Sequence, residues 1–127
     1  MNHSDTVRRL LKIFETFNVA EAMTLFAEGA SYQFGNYPAA VGKDQIVQAA
    51  ASSHMDFIKS CTFDVKSMIE PGGGIVACEM DIAYLTTDGR TITLPCADLF
   101  RFNEQGLVKD MRIFMDAGPL FAKPATA

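Results

Sequence analysis

The sequence predicts an α+β fold in which helices pack on one face of a curved antiparallel sheet. Three features predict it. Apolar residues recur with helical spacing in the first part of the chain, and with strand spacing in the second part. Three turn signals, PGGG, TDG and NEQG, divide the second part into consecutive hairpins. Helices first and antiparallel strands afterwards lead to helices stacked on a meander. A sheet that wraps around a helix leaves a hollow, and hollows with a few polar groups are the usual small-molecule sites.

Each element follows from local chemistry. Ser4 or Asp5 can cap a first helix whose stripe is Val7, Leu10, Leu11, Phe14 and Phe17. Asn18, with Glu21 three residues later, resembles a capping box and would open a short second helix through Val19, Ala22, Met23 and Phe26. Ala30–Phe34 reads as a short strand, followed by the turn-rich loop GNYPAAVG. A third helix is expected from about Lys43 to Lys59. The strand expectations are Thr62–Ile69, Ile75–Thr86, Thr91–Phe102 and Leu107–Phe114.

Composition narrows the function classes. With 127 residues the chain is expected to form one domain, ending in a short tail over residues 118–127. It is 49% hydrophobic and 20% charged, far from the composition of a disordered chain. A net charge of −4 with no basic run disfavours nucleic acid, because phosphate neutralisation requires clustered cations. Three cysteines without CxxC spacing suggest neither a disulfide framework nor a zinc site, and reduced thiols fit a cytoplasmic protein. Two histidines are too few for a dedicated metal site, so no metal is expected. The start lacks a signal-peptide apolar region, and no apolar run is long enough to span a bilayer.

The most informative residue is Asp98. Along TITLPCADLFRF one strand face carries Ile92, Leu94, Cys96, Asp98, Phe100 and Phe102. A carboxyl group on that apolar side must be paired, hydrogen-bonded or protonated, which suits acid/base chemistry. The alternative is an Asp satisfied by its neighbours, or turned outward by a bulge. His54 falls on the apolar stripe of the third helix with Val47, Ala50, Phe57 and Ile58, where it would face Asp98 or be satisfied by a backbone carbonyl. Glu79 and Asp81 share one face of their strand, opposite Val76, Cys78, Met80, Ile82 and Tyr84. Either the acids face water, or they line the hollow while the apolar set meets a partner subunit. In the second case Asp81 would adjust the proton affinity of Asp98. Tyr32, Gln33, Asn36 and Tyr37 supply polar groups near the mouth. Met111 and Met115 are expected in the core or pocket wall, where flexible side chains fit irregular ligands. Asp116 is expected in a turn or cap.

Two short helices, the LFAEGASYQF step, the GKDQI helix start and the closing ADLFRFNEQGLVKDMRIFMD resemble the nuclear-transport-factor-2-like superfamily. More narrowly they resemble its SnoaL-like, ketosteroid-isomerase-like branch, from about Val7 to Asp116. The resemblance implies a cone-shaped α+β barrel with a deep apolar pocket, often a homodimer joined through the outer face of the sheet. It places Asp98 at the aspartic acid of the isomerase oxyanion hole, a carboxylic acid kept protonated by an apolar site. It turns Glu79, Asp81 and Ala83 inward, together with Leu94, Cys96, Met111 and Met115. It also shows departures. Phe34 stands where the isomerase has its general-base aspartate, and Leu10 or Leu11 where it has its tyrosine. Glu79 and Ile113 stand where the related epoxide hydrolases have an arginine and an acid. Classical steroid isomerisation and epoxide hydrolysis are therefore not expected, and SnoaL-type cyclisation is the least contradicted precedent. The resulting expectation is a cofactor-free enzyme for a small apolar carbonyl compound. Asp98, Asp81 and His54 would act on it, with Tyr32, Phe34, Cys96, Met111 and Met115 around it. A non-catalytic ligand-binding or dimerisation module is the competing expectation, with the Val76–Tyr84 stripe as its interface.

Overall fold

The computed structural model describes residues 2–52 and 56–121. Its elements are α1 (His3–Glu15), α2 (Val19–Ala22) with a 3-10 turn over Met23–Leu25, β1 (Phe26–Phe34), β2 (Ala40–Val41), α3 (Lys43–Ser52), β3 (Ile58–Gly72), β4 (Ile75–Thr86), β5 (Thr91–Phe102), β6 (Val108–Phe114) and α4 (Gly118–Phe121). The strands form one six-stranded sheet in the order β2-β1-β6-β5-β4-β3. Four of its five pairings are antiparallel, whereas β1 runs parallel to β6. The sheet is thus a mostly antiparallel, unclosed surface with β2 and β3 at its edges.

Local chemistry accounts for the helix boundaries. Asn2, two residues before the first expected cap, caps α1 by accepting from the Asp5 N–H. Ser4 instead ties the helix to the sheet: its backbone N–H and hydroxyl both donate to Glu70 Oε1, at 2.9 and 2.7 Å. The expected Asn18 cap is present, its side chain accepting from the Glu21 N–H. α3 is shorter than its apolar period suggests. Ile58 and Lys59 belong to β3, because Ile58 pairs with Thr86 and the Phe57 carbonyl accepts from the Thr87 N–H. His54 lies outside the described residues.

β1 starts at Phe26, four residues before the expected position, and it is irregular. Its register on β6 shifts between Phe26 and Ser31, where Gly29 has φ 72°, a conformation open to glycine at little cost. The PGGG turn is equally specific. Gly74 has φ 73°, and a Cβ there would lie 3.0 Å from the Phe102 carbonyl oxygen.

The helices cover one face of the sheet, with α1 on β3 and β4 and α3 on β1 and β2. Between them lie Val7, Leu10, Phe26, Ile46, Val76, Phe100 and Val108, all fully buried. Burial of side chains this size contributes about 1.5–3 kcal/mol each. Residues 118–121, expected as tail, form one helical turn that buries Leu120 and sets Phe121 edge-on to Phe57. Among the described residues no helix is long and apolar enough to cross a membrane.

Candidate functional site

Strand β5 alternates as its sequence predicts: Leu94, Cys96, Asp98, Phe100 and Phe102 are buried, while Thr91, Thr93, Pro95 and Ala97 are exposed. Pro95 is tolerated here because β6 ends at Phe114, opposite Ala97, and leaves Pro95 with a strand on one side only. Asp98 is 4% exposed and is the single buried ionisable carboxyl among the described residues. Its cross-strand neighbours are Cys78 on β4 and Ile113 on β6, and Ile113 in turn pairs with Phe34 on β1.

These strands and the helices above them line a partly open cavity of about 90 Å³. Leu11, Phe14 and Phe17 form its helical wall. Phe17 follows the end of α1 with φ 62°, a left-handed conformation that costs a non-glycine residue on the order of 1 kcal/mol. Tyr32 and Phe34 form the β1 side, and Met111, Ile113 and Met115 the far side. Apart from Asp98, the polar groups on the wall are hydroxyls of Tyr32 and Tyr84 and thiols of Cys61 and Cys96.

The electrostatics follow from burial. The Asp98 carboxyl is pushed up to about 7, chiefly because burial penalises its charged form; one hydrogen bond from the Cys96 thiol, at 3.3 Å to Oδ1, pulls the other way. Tyr32 is raised well above its usual range by burial first, then by the Asp98 charge. Tyr84 is raised by burial and then by Cys61 and Cys96; its hydroxyl donates to Met115 Sδ at 3.8 Å. Burial pushes Cys61 up to about 11. At neutral pH the tyrosines and thiols keep their protons, and Asp98 exchanges one. The chemistry within reach is transfer of a single proton in a largely apolar cavity that also carries neutral hydroxyl donors.

Asp98, Tyr32, Phe34, Cys96, Met111 and Met115 therefore share one cavity. Asp81 does not. On β4 the buried set is Val76, Cys78, Met80, Ile82, Tyr84 and Thr86, so Glu79 and Asp81 point away from the helices. The Asp81 side chain is 44% exposed and lies 4.0 Å from Lys66, and Glu79 accepts from Ser67. The inward placement of Glu79, Asp81 and Ala83 is corrected: strand parity allows one face to be buried, and four large apolar residues outweigh two carboxylates for it. The same parity overturns the Val76–Tyr84 stripe as an exposed interface, since that stripe is interior. Asp116 accepts from the Gly118 N–H in a turn, as expected, and Gln33 donates to the Tyr37 carbonyl at the loop. Tyr84 was not singled out in the sequence. Its parity with Cys78 on the strand beside Asp98 was the available signal.

Among the described residues no group of three or more His, Cys, Asp or Glu side chains is arranged to hold a metal ion.

The SnoaL-like domain family model matches residues 7–111. No curated protein matches the chain. An NTF2-like protein of unknown function from Burkholderia pseudomallei superposes with a TM-score of 0.81 at 16% identity, over 95% of this chain and 96% of that one. A hypothetical protein with a ketosteroid isomerase-like fold from Catenulispora acidiphila, in complex with trimethylamine, gives 0.76 at 17% identity, over 88% and 85%. A candidate SnoaL-like polyketide cyclase from Jannaschia sp. gives 0.73 at 18% identity, over 91% and 88%. At such identities the likeness concerns the fold alone. With the family model spanning most of its length, the chain belongs to the SnoaL-like domain family.

Proposed function

We propose that this protein is a cofactor-free acid/base catalyst for a small, largely apolar carbonyl compound, with Asp98 as the group that moves the proton. The observation that carries the reading is a carboxyl 4% exposed and set in an apolar cavity, where burial pushes it up to about 7. A catalytic acid/base works best when its proton affinity matches the working pH. As carboxylate, Asp98 takes a proton from the carbon next to the carbonyl; the electron pair moves onto the carbonyl oxygen as an enolate. The neutral Tyr32 hydroxyl donates a hydrogen bond to that oxygen. Asp98, now protonated, returns the proton to the same or another carbon, or to a leaving hydroxyl. Isomerisation, aldol-type cyclisation and dehydration all share this step. The aromatic and methionine walls hold the apolar body and keep water out, which strengthens every polar contact inside.

Exchange of α-hydrogens of cyclohex-2-enone with deuterated solvent, followed by proton NMR, tests the reading. Wild-type protein is expected to accelerate exchange, and Asp98→Asn to lose about 10²–10⁴-fold of that rate. Equal rates for both proteins across a panel of small ketones would leave a binding module as the better description.

A second copy of the chain is the partner we assign to the outer sheet face. Phe114 is 48% exposed there, with the Arg112 guanidinium 5.1 Å from its ring centre. Arg101 and Asp110 on the same strands give this face both signs of charge, as a two-fold self-contact requires. Sedimentation should show a dimer that Phe114→Asp dissociates; a monomeric wild type would contradict this assignment.

A further inference from the structure

Asp98 is bracketed by sulfur. Cys96 lies two residues earlier on β5, so its side chain emerges on the same face. Cys78 is the direct cross-strand partner of Asp98 on β4, and Met80 is the partner of Cys96. Both cysteines are buried and unbridged. Among the described residues, only Cys96 bonds the carboxyl, its Sγ donating to Oδ1 at 3.3 Å. The one side-chain nitrogen or oxygen sealed without a partner among the described residues is Arg112 Nε, so the other carboxyl oxygen of Asp98 is not shut in protein. It opens on the cavity that Asp98 lines.

A thiol is an unusual anchor for a carboxyl group. S–H is a weak donor, whereas a hydroxyl or amide N–H in its place would stabilise a carboxylate much more. Other groups that face Asp98 offer no alternative. On β4 these are Cys78 and, farther along, Tyr84; on β1 Tyr32; on β6 the wall is Met111, Ile113 and Met115. From α1, Arg8 acts on Cys78, and the residues of α1 on the cavity wall carry no charge.

We propose that Cys96 is a positioning residue for Asp98: its thiol fixes Oδ1, turns the second oxygen to the cavity, and holds the carboxyl by a deliberately weak bond. The weakness matters because a stronger donor would pull Asp98 back toward an ordinary carboxylate, ionised and poorly basic at neutral pH. No bond at all would leave the carboxyl free to rotate and still more reluctant to ionise. The thiol suits the task because it stays protonated; burial and the neighbouring carboxylate both oppose its ionisation. This role rests on Asp98 being the proton carrier proposed above, yet it can be measured without any substrate.

The experiment is carbon-13 NMR titration of the Asp98 carboxyl in protein labelled at aspartate, assigned by the loss of its signal in Asp98→Asn. Wild type is compared with Cys96→Ser, Cys96→Ala and Cys78→Ala. The midpoint should fall by about one pH unit in Cys96→Ser and rise by a similar amount in Cys96→Ala. Cys78→Ala removes an equally buried thiol that makes no bond to Asp98, and should move the midpoint much less. Shifts of the same sign in both Cys96 variants, or an equal shift in Cys78→Ala, would reduce Cys96 to packing and overturn the proposal. If Cys96→Ala does not fold, Cys96→Ser decides alone: a lower midpoint supports the proposal, and an unchanged or higher one overturns it. Failure of ketone exchange would count against catalysis and leave this titration order untouched.

Discussion

Replacing Asp98 by Asn should abolish a loss of stability that the wild-type protein undergoes as pH rises to neutrality. The magnitude follows from the carboxyl's surroundings. Its proton affinity corresponds to about 7 in the folded protein and to 3.8 for a free aspartate. Below pH 3.8 Asp98 is protonated in both states and carries no penalty. From there to about pH 7 the unfolded chain has given up a proton that the folded protein retains, so each pH unit costs about 1.4 kcal/mol of stability. Above pH 7 both states are ionised and the loss levels off. Three units in all give roughly 4 kcal/mol, a large share of the 5–15 kcal/mol that holds a typical domain together. Asparagine does not titrate. Urea denaturation of both proteins between pH 4.5 and pH 8.5 should therefore diverge steadily up to neutrality, with wild type losing stability relative to Asp98→Asn. Other titrating groups are shared and drop out of the difference. Parallel profiles would show that Asp98 ionises as easily inside the protein as outside, and the reasoning from burial would be refuted.

Other consequences are more local. Tyr32→Phe removes the hydroxyl proposed to donate to the substrate carbonyl and should lower kcat for ketone exchange by about 10²-fold while leaving thermal stability within about 1 kcal/mol, read by exchange rate and melting. Asp81→Asn should leave exchange unchanged and stability within about 0.5 kcal/mol, because the side chain stands on the outer face; a large loss of exchange would restore it to the site. Phe100→Ala empties a fully buried position and should cost about 3–5 kcal/mol by urea denaturation.

The second half of the chain was more legible than the first. In Thr91–Phe102 every other residue except Asp98 is apolar and TDG and NEQG stand at its ends, so one short window determines strand, limits and buried face together. Asp98 was conspicuous for that reason. On β4 the same alternation defined two faces, and the choice between them rested on what packs above the sheet. That is long-range information, and it decided against Asp81. The end of α3 was misjudged because Phe57 and Ile58 continue the helical stripe, while pairing of Ile58 with Thr86 claims them for the sheet. The parallel pairing of β1 with β6 joins segments some eighty residues apart, and no local pattern encodes it. The cavity wall from α1 was half visible: the stripe containing Leu11, Phe14 and Phe17 was plain, but its left-handed end, which sets Phe17 at the wall, was not.

Direct observation of the Asp98 carboxyl in the wild-type protein tests the central claim most closely. Its carbon-13 resonance should change from acid to carboxylate with a midpoint near pH 7, three units above its ordinary value. A midpoint near pH 4 would mean that the carboxylate is hydrated, and the case for proton transfer in this cavity would fail with it.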